Sequence, residues 1–166
     1  MKLRVVVGEG PLRAPDGEAG LNGLYASAGL TIAGDSTVRR FASAGSEEFF
    51  LIGRAIGERT ATGTMRTFRD RGEELETAYR RAIEGRIDEL EGRFAAVLVR
   101  SDGSCEVAAD RYGRFDLYYQ RVEGQLVVGT DLDLLPVSRG SSGYDQAALV
   151  HVLCVFGWRP PKQHTL

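Results

Sequence analysis

The sequence predicts an α+β fold: antiparallel strands with helices segregated to the sheet faces, in a single domain. Three observations predict it. The chain has 21 glycines in 166 residues, nearly twice the usual ~7%, spread among short apolar segments as many strands and tight turns require. One segment carries a continuous apolar stripe at helical spacing, whereas from Gly92 onward the apolar period is two. A length of 166 residues suffices for one core and not comfortably for two.

Composition narrows the class. With 43% hydrophobic and 27% charged residues, the chain is neither disordered, collagenous nor a coiled coil. Its 21 basic and 23 acidic side chains leave a net charge of -2, too little field to draw a nucleic-acid backbone or an anionic membrane. No apolar run approaches the about 20 residues that span a bilayer, and the start lacks the apolar stretch of a signal peptide. Two cysteines in unrelated contexts, Cys105 and Cys154, point to a reducing cytosol and a cytoplasmic protein.

In chain order, residues 3–7 are apolar and valine-rich and read as a buried strand ended by Gly8-Glu9-Gly10-Pro11. The Gly8-x-Gly10 pair is no dinucleotide fingerprint, because position 13 is arginine and Pro11 sits where the helix should start. Residues 11–45, with six glycines and two prolines, read as loops around strands near 30–33 and 37–42. Phe49-Phe50-Leu51-Ile52, between Gly45-Ser46 and Gly53, predicts a central strand over 47–56. Residues 57–71 read as loop around one short strand. Their Arg59, Arg66, Arg69 and Arg71, with Phe68, offer contacts to a polyanion or an acidic partner, and we read them as a solvated loop.

Leu75, Ala78, Tyr79, Ala82, Ile83, Ile87 and Leu90 form the helical stripe; Glu73, Glu74 and Glu76 open it, where the helix dipole favours acids. Gly85 marks a break before a second short turn. Strands follow at 93–100, 105–109, 117–122 and 125–129, with turns at 101–104 and Glu123-Gly124, an antiparallel meander. Asp145 is a natural N-cap and Gly157 a natural stop for a last helix that is apolar almost all round. Such a helix must be covered on every side.

From Leu90 the chain resembles the class II glutamine amidotransferase domain of the asparagine synthetase family. That family reads L-x-G-x-F-A-F-x-L, then R-D-x-x-G-x-x-P-L-Y-Y, L-x-F-A-S-E-x-K-A-L, D-x-x-A-L and G-x-x-P-x-x-x-T. This chain has Leu90-Glu91-Gly92-Arg93-Phe94-Ala95, then Asp110-Arg111-Tyr112-Gly113 followed by Leu117-Tyr118-Tyr119, Leu126 to Leu135, Asp145 to Leu149, and Gly157 to Thr165. The resemblance implies an N-terminal-nucleophile (Ntn) type α/β/β/α sandwich, with Gly92, Phe94, Asp110, Gly113, Leu117, Tyr118 and Tyr119 in structural roles. It divides the chain into an amidotransferase-like part at 1–140 and an apolar helix and linker at 141–166, leading toward a missing or separate synthetase domain.

The family's chemistry is not matched. Its nucleophile is a cysteine at position 2, freed by removal of Met1, whose own amine serves as base; position 2 here is Lys2. Cys105 and Cys154 are internal. The family's N-G-E oxyanion segment aligns with Ile52-Gly53-Arg54 and keeps only Gly53, the residue of a degenerate glutamine site. Its R-G-P-D loop has no counterpart in 11–45, and its S-D-T-E segment aligns only loosely with Arg71-Gly72-Glu73-Glu74.

Other constellations favour structure over chemistry. His151 and Cys154, a helical turn apart, are two ligands where zinc needs three or four, and read as core. Ser141 to Asp145 resembles the S-G-G-x-D-S pyrophosphate loop of synthetases but precedes a helix cap and reads as linker. Asp110 and Arg111, an acid with a basic neighbour, read as a tight connection between strands. Tyr118 and Tyr119 point to opposite sides of their strand.

The expected function is therefore a non-catalytic amidotransferase-like scaffold of an ATP-dependent amide ligase, like the cysteine-less β-lactam synthetases and lasso peptide cyclases. ATP and magnesium would belong to the partner synthetase domain, with no cofactor or metal in this chain. Leu149, Val152, Leu153, Phe156 and Trp158 are the candidate partner interface. The alternatives are a free-standing peptide- or protein-binding module that self-associates through the C-terminal helix, and an autoprocessed Ntn hydrolase.

Overall fold

The computed structural model of the chain describes residues 1–8, 20–42 and 47–136. Ten strands and one helix occupy them: β1 (Leu3–Val7), β2 (Asn22–Ser27), β3 (Leu30–Gly34), β4 (Arg39–Ala42), β5 (Glu48–Arg59), β6 (Met65–Thr67), α1 (Arg71–Ile83), β7 (Leu90–Val99), β8 (Cys105–Ala109), β9 (Tyr118–Val122) and β10 (Gln125–Gly129). The strands form two antiparallel sheets. The first has the order β2-β3-β1-β10-β9; the second has the order β4-β5-β7-β8, with β6 also on β5.

The apolar runs of β5 and β7 are continuous because both faces of these strands are buried. Phe50, Ile52, Ala95, Val97 and Val99 point toward the first sheet and meet Leu3, Val5, Leu30 and Ile32. The alternate residues Phe49, Leu51, Phe94, Ala96 and Leu98 point the other way and meet Ala78 and Ala82 of α1. The described fold is thus three layers deep: sheet, sheet, helix. On the far face of the first sheet Val6 and Val127 are also buried.

The helix starts where its cap dictates. Asp70 accepts from the backbone N–H groups of Gly72 and Glu73, and the last turn ends at Glu84 before Gly85, whose φ of +68° is left-handed. The expected second turn follows as a 3₁₀ turn at Ile87–Glu89. The Glu123-Gly124 turn has φ of +52° and +81° and joins β9 to β10 as the tight hairpin expected.

Three expectations need correction. The meander is not one sheet: β7 and β8 lie in the second sheet, β9 and β10 in the first. The connection through residues 110–117 carries the chain across. The central strand runs on to Arg59, past Gly53, so residues 57–59 are strand and not loop. β2 was not expected, because an exposed edge strand with no alternation in burial leaves no apolar period to read. The last helix predicted at 145–157, with Leu149, Val152, Leu153, Phe156 and Trp158, lies outside the described residues, as do both histidines and Cys154. Among the described residues no helix is long and apolar enough to cross a membrane.

Candidate functional site

The sequence placed the remnant of a site at Gly53, and the structure shows what surrounds it. Gly53 has φ of +86° and faces Phe94 on β7; a Cβ there would stand 2.4 Å from the Arg93 carbonyl oxygen. Two pairs further along, Gly92 has φ of +153°, and a Cβ would stand 2.2 Å from the Arg54 carbonyl oxygen. Two glycines without side chains let β5 and β7 close on each other here. Just beyond, the register slips between Ala55 and Gly57, so that Ile56 bulges out, 46% exposed.

A bulge frees backbone groups, and Glu74 takes one of them. Its Oε1 accepts from the Ala55 N–H at 2.7 Å. The same carboxylate receives both terminal nitrogens of Arg39, at 2.7 and 2.8 Å, and Arg39 also donates to the Gly53 carbonyl at 3.2 Å. Glu74 is almost wholly buried, so this fork is a desolvated ion pair with its remaining lone pairs used. The sequence reads Glu74 as an acid at a helix start and as part of the loosely aligned S-D-T-E segment, not as a buried ion-pair partner. Its position one turn before Ala78, on the buried stripe, was the signal that it points inward.

The amino terminus, where an Ntn enzyme would hold its nucleophile, is tied down. Asp35 accepts from the Lys2 N–H at 2.7 Å, lies 3.4 Å from the terminal ammonium, and accepts from the Thr37 N–H. Burial pushes the Asp35 carboxyl up, but the bonds from Thr37 and Lys2 and the nearby ammonium outweigh it, and the group sits below its ordinary range. Leu3 donates its N–H to Thr130, so β1 is clamped from both sides. Cys105 opens β8, and burial, with Glu106 beside it, pushes its thiol up to about 11, leaving it an uncharged thiol near neutral pH.

Asp110 is buried and holds the crossing loop: its two oxygens accept from the N–H groups of Tyr112, Arg114 and Phe115 at 2.8 to 3.1 Å. Gly113 supplies the left-handed residue that the turn needs, at φ of +61°. This is the tight connection expected of Asp110 and Gly113. It delivers the Phe115 ring into the space between the sheets, 3.0 Å from where a Gly53 Cβ would be. Leu117 packs half-buried on the same core, Tyr118 is half-buried and Tyr119 is 54% exposed, so the two tyrosines part as alternation requires.

A concavity lies along α1, a cleft of about 660 Å³ whose lining includes Phe41, Arg66, Glu73, Glu76, Thr77 and Tyr79. Phe41 stacks on Tyr79 at 4.6 Å, and the Tyr79 hydroxyl donates to Glu47. Its arginines do not wait for an outside anion. Arg66 bridges Glu58 and Glu73 at 2.7 and 2.6 Å and Arg69 reaches Glu73 at 3.4 Å; outside the cleft, Arg71 reaches Glu74 and Arg59 holds Glu91 at 2.6 Å. Residues 61–67 are exposed with one short strand, as read, and within them the Arg66 guanidinium ties β5, β6 and α1 together. Among the described residues no three His, Cys, Asp or Glu side chains gather as a metal-ligand cluster.

Comparison with protein-family models and with curated proteins returns no match to either.

Proposed function

We propose that the chain is a non-catalytic glutamine-amidotransferase-like domain with an Ntn-type layered sandwich, serving as scaffold for an ATP-dependent synthetase domain that forms amide bonds. The observation that carries the non-catalytic reading is the use made of the groups around Gly53. The Ala55 N–H, the donor beside the bulge, is spent on Glu74. An oxyanion hole needs donors aimed at the developing charge and otherwise unoccupied. Lys2 stands where the nucleophile would be, and the terminal amine lies against Asp35.

The layered order supports the fold part of this reading. Two antiparallel sheets face each other, a helix covers one, and the buried Val6 and Val127 on the outer face of the other are what a fourth layer asks of that face. ATP and magnesium belong, on this reading, to the partner domain. The test is ammonia release from glutamine by the purified chain and by its Lys2→Cys variant. We expect neither to exceed buffer, because restoring a nucleophile does not free the Ala55 donor; turnover by either protein overturns the proposal. Mass measurement separates the scaffold from the self-associating module: a monomer is expected, and a stable homodimer favours the module.

A further inference from the structure

Arginine in this molecule is distributed unevenly between paired and unpaired. Arg39, Arg40, Arg66, Arg81, Arg86 and Arg100 each contact a glutamate. At one corner the pattern stops. Arg54 on β5 stands directly opposite Arg93 on β7, a position where like charges in an antiparallel ladder repel. Arg93 donates to the Arg114 carbonyl at 3.0 Å and lies 5.9 Å from the centroid of Phe115. Tyr112, 55% exposed, has the Arg114 guanidinium 4.7 Å and the Arg111 guanidinium 6.0 Å from its ring. Among the described residues, no ion pair joins Arg54, Arg93, Arg111 or Arg114 to a carboxylate.

The nearby acids are already committed. Glu91 pairs with Arg59, both oxygens of Asp110 accept backbone N–H groups, and Asp116 has an interaction of its own. A fold that places two arginines opposite each other and two more around one tyrosine, with the local carboxylates spent elsewhere, holds a surplus of positive charge that an outside anion would relieve.

We infer that this corner, formed by Arg54, Arg93, Arg111, Arg114 and Tyr112, is a docking surface for an acidic segment of a partner protein. Carboxylates are the occupant because guanidinium forks match them, the pairing that this chain uses internally at Arg39–Glu74 and Arg40–Glu48. Nucleic acid fits less well. Arg114 already occupies a face of the single exposed ring of the patch, which leaves no stacking platform, and the chain as a whole carries a net charge of -2. The inference stands whether or not the amidotransferase-like reading does.

The test is fluorescence anisotropy of a labelled octaglutamate peptide titrated with the whole chain at low and at physiological salt, beside a labelled oligo-dT of equal charge. Saturable binding to octaglutamate at low salt is expected, weakened about tenfold or more by Arg93→Gln with Arg114→Gln. Arg54→Gln with Arg111→Gln, which leaves the Arg93 to Arg114 bond in place, should weaken it similarly. Arg69→Gln, at the α1 cleft, should not. No saturable binding, binding by either double variant as tight as that of the unsubstituted chain, or tighter binding of oligo-dT overturns the proposal, the last in favour of nucleic acid.

Discussion

Where β5 meets α1, Glu58 and Glu74 are buried, Glu58 gripped by arginines of β6 and α1 and Glu74 by Arg39 of β4; where the same strand meets Arg93 and the 110–115 loop, guanidiniums face each other and, among the described residues, no carboxylate pairs with them. Both regions are rich in arginine, and both lie beside irregular stretches of β5. The difference, among the described residues, is whether a carboxylate is there as counterion. On the helix side the acids come from the chain itself, and the result is cross-bracing of α1, β4 and β6 onto β5. On the other side, among the described residues, no carboxylate answers the charge.

Removing one charge from each region is the strongest way to break that comparison. Glu74→Ala leaves Arg39 desolvated without its counterion and the Ala55 N–H without an acceptor, and should cost about 3–5 kcal/mol in denaturant unfolding. A loss under about 1 kcal/mol, the range of an exposed pair, would erase the distinction between the regions.

Acid should act in the same direction more gradually. Burial raises the Glu58 carboxyl, but the bonds from Arg66 and Arg81 overcome this and hold it below its ordinary range, as Thr37 and the amino terminus do for Asp35. A carboxyl lowered by folding contributes stability above its unfolded value, near 4.5 for Glu58 and 3.8 for Asp35, and loses it as pH falls through the lowered folded value. Thermal midpoints should therefore drop as pH is taken below about 4, and Glu58→Gln should flatten part of that drop. A midpoint indifferent to acid would contradict the paired region.

The smallest effect has the opposite sign. Arg54→Gln removes one of two facing like charges and should leave the isolated protein unchanged or more stable by about 0.2–1 kcal/mol, a gain that added salt erases. A clear destabilisation would mean that the corner is already neutralised within the chain.

Much of the layered core was readable in advance, because β5, β7 and α1 declare themselves by unbroken or periodic apolar residues. What the pattern does not encode is partnership. Period two marks β9 and β10 as strands but is silent on which sheet receives them; that follows from Asp110 gathering three N–H groups and turning the chain. Gly53, Asp110 and Gly113 were named from sequence, yet the reason for Gly53 is a backbone angle and a carbonyl oxygen 2.4 Å from its missing Cβ, neither visible in a string of letters. The Arg39–Glu74 pair joins residues 35 apart and left one trace, an acid on an apolar stripe.

The place of β1 has a consequence for the order of assembly. It lies between β3 and β10, and Leu3 donates to Thr130, 127 residues away. The second sheet and its helix draw on residues 39–109 alone, so they can pair while the chain is still being synthesised. The first sheet cannot close until β10 has left the ribosome, and until then β1 must wait with one edge unpaired. Loop closure over that separation is slow, which makes β1 the segment most in need of protection in a nascent chain.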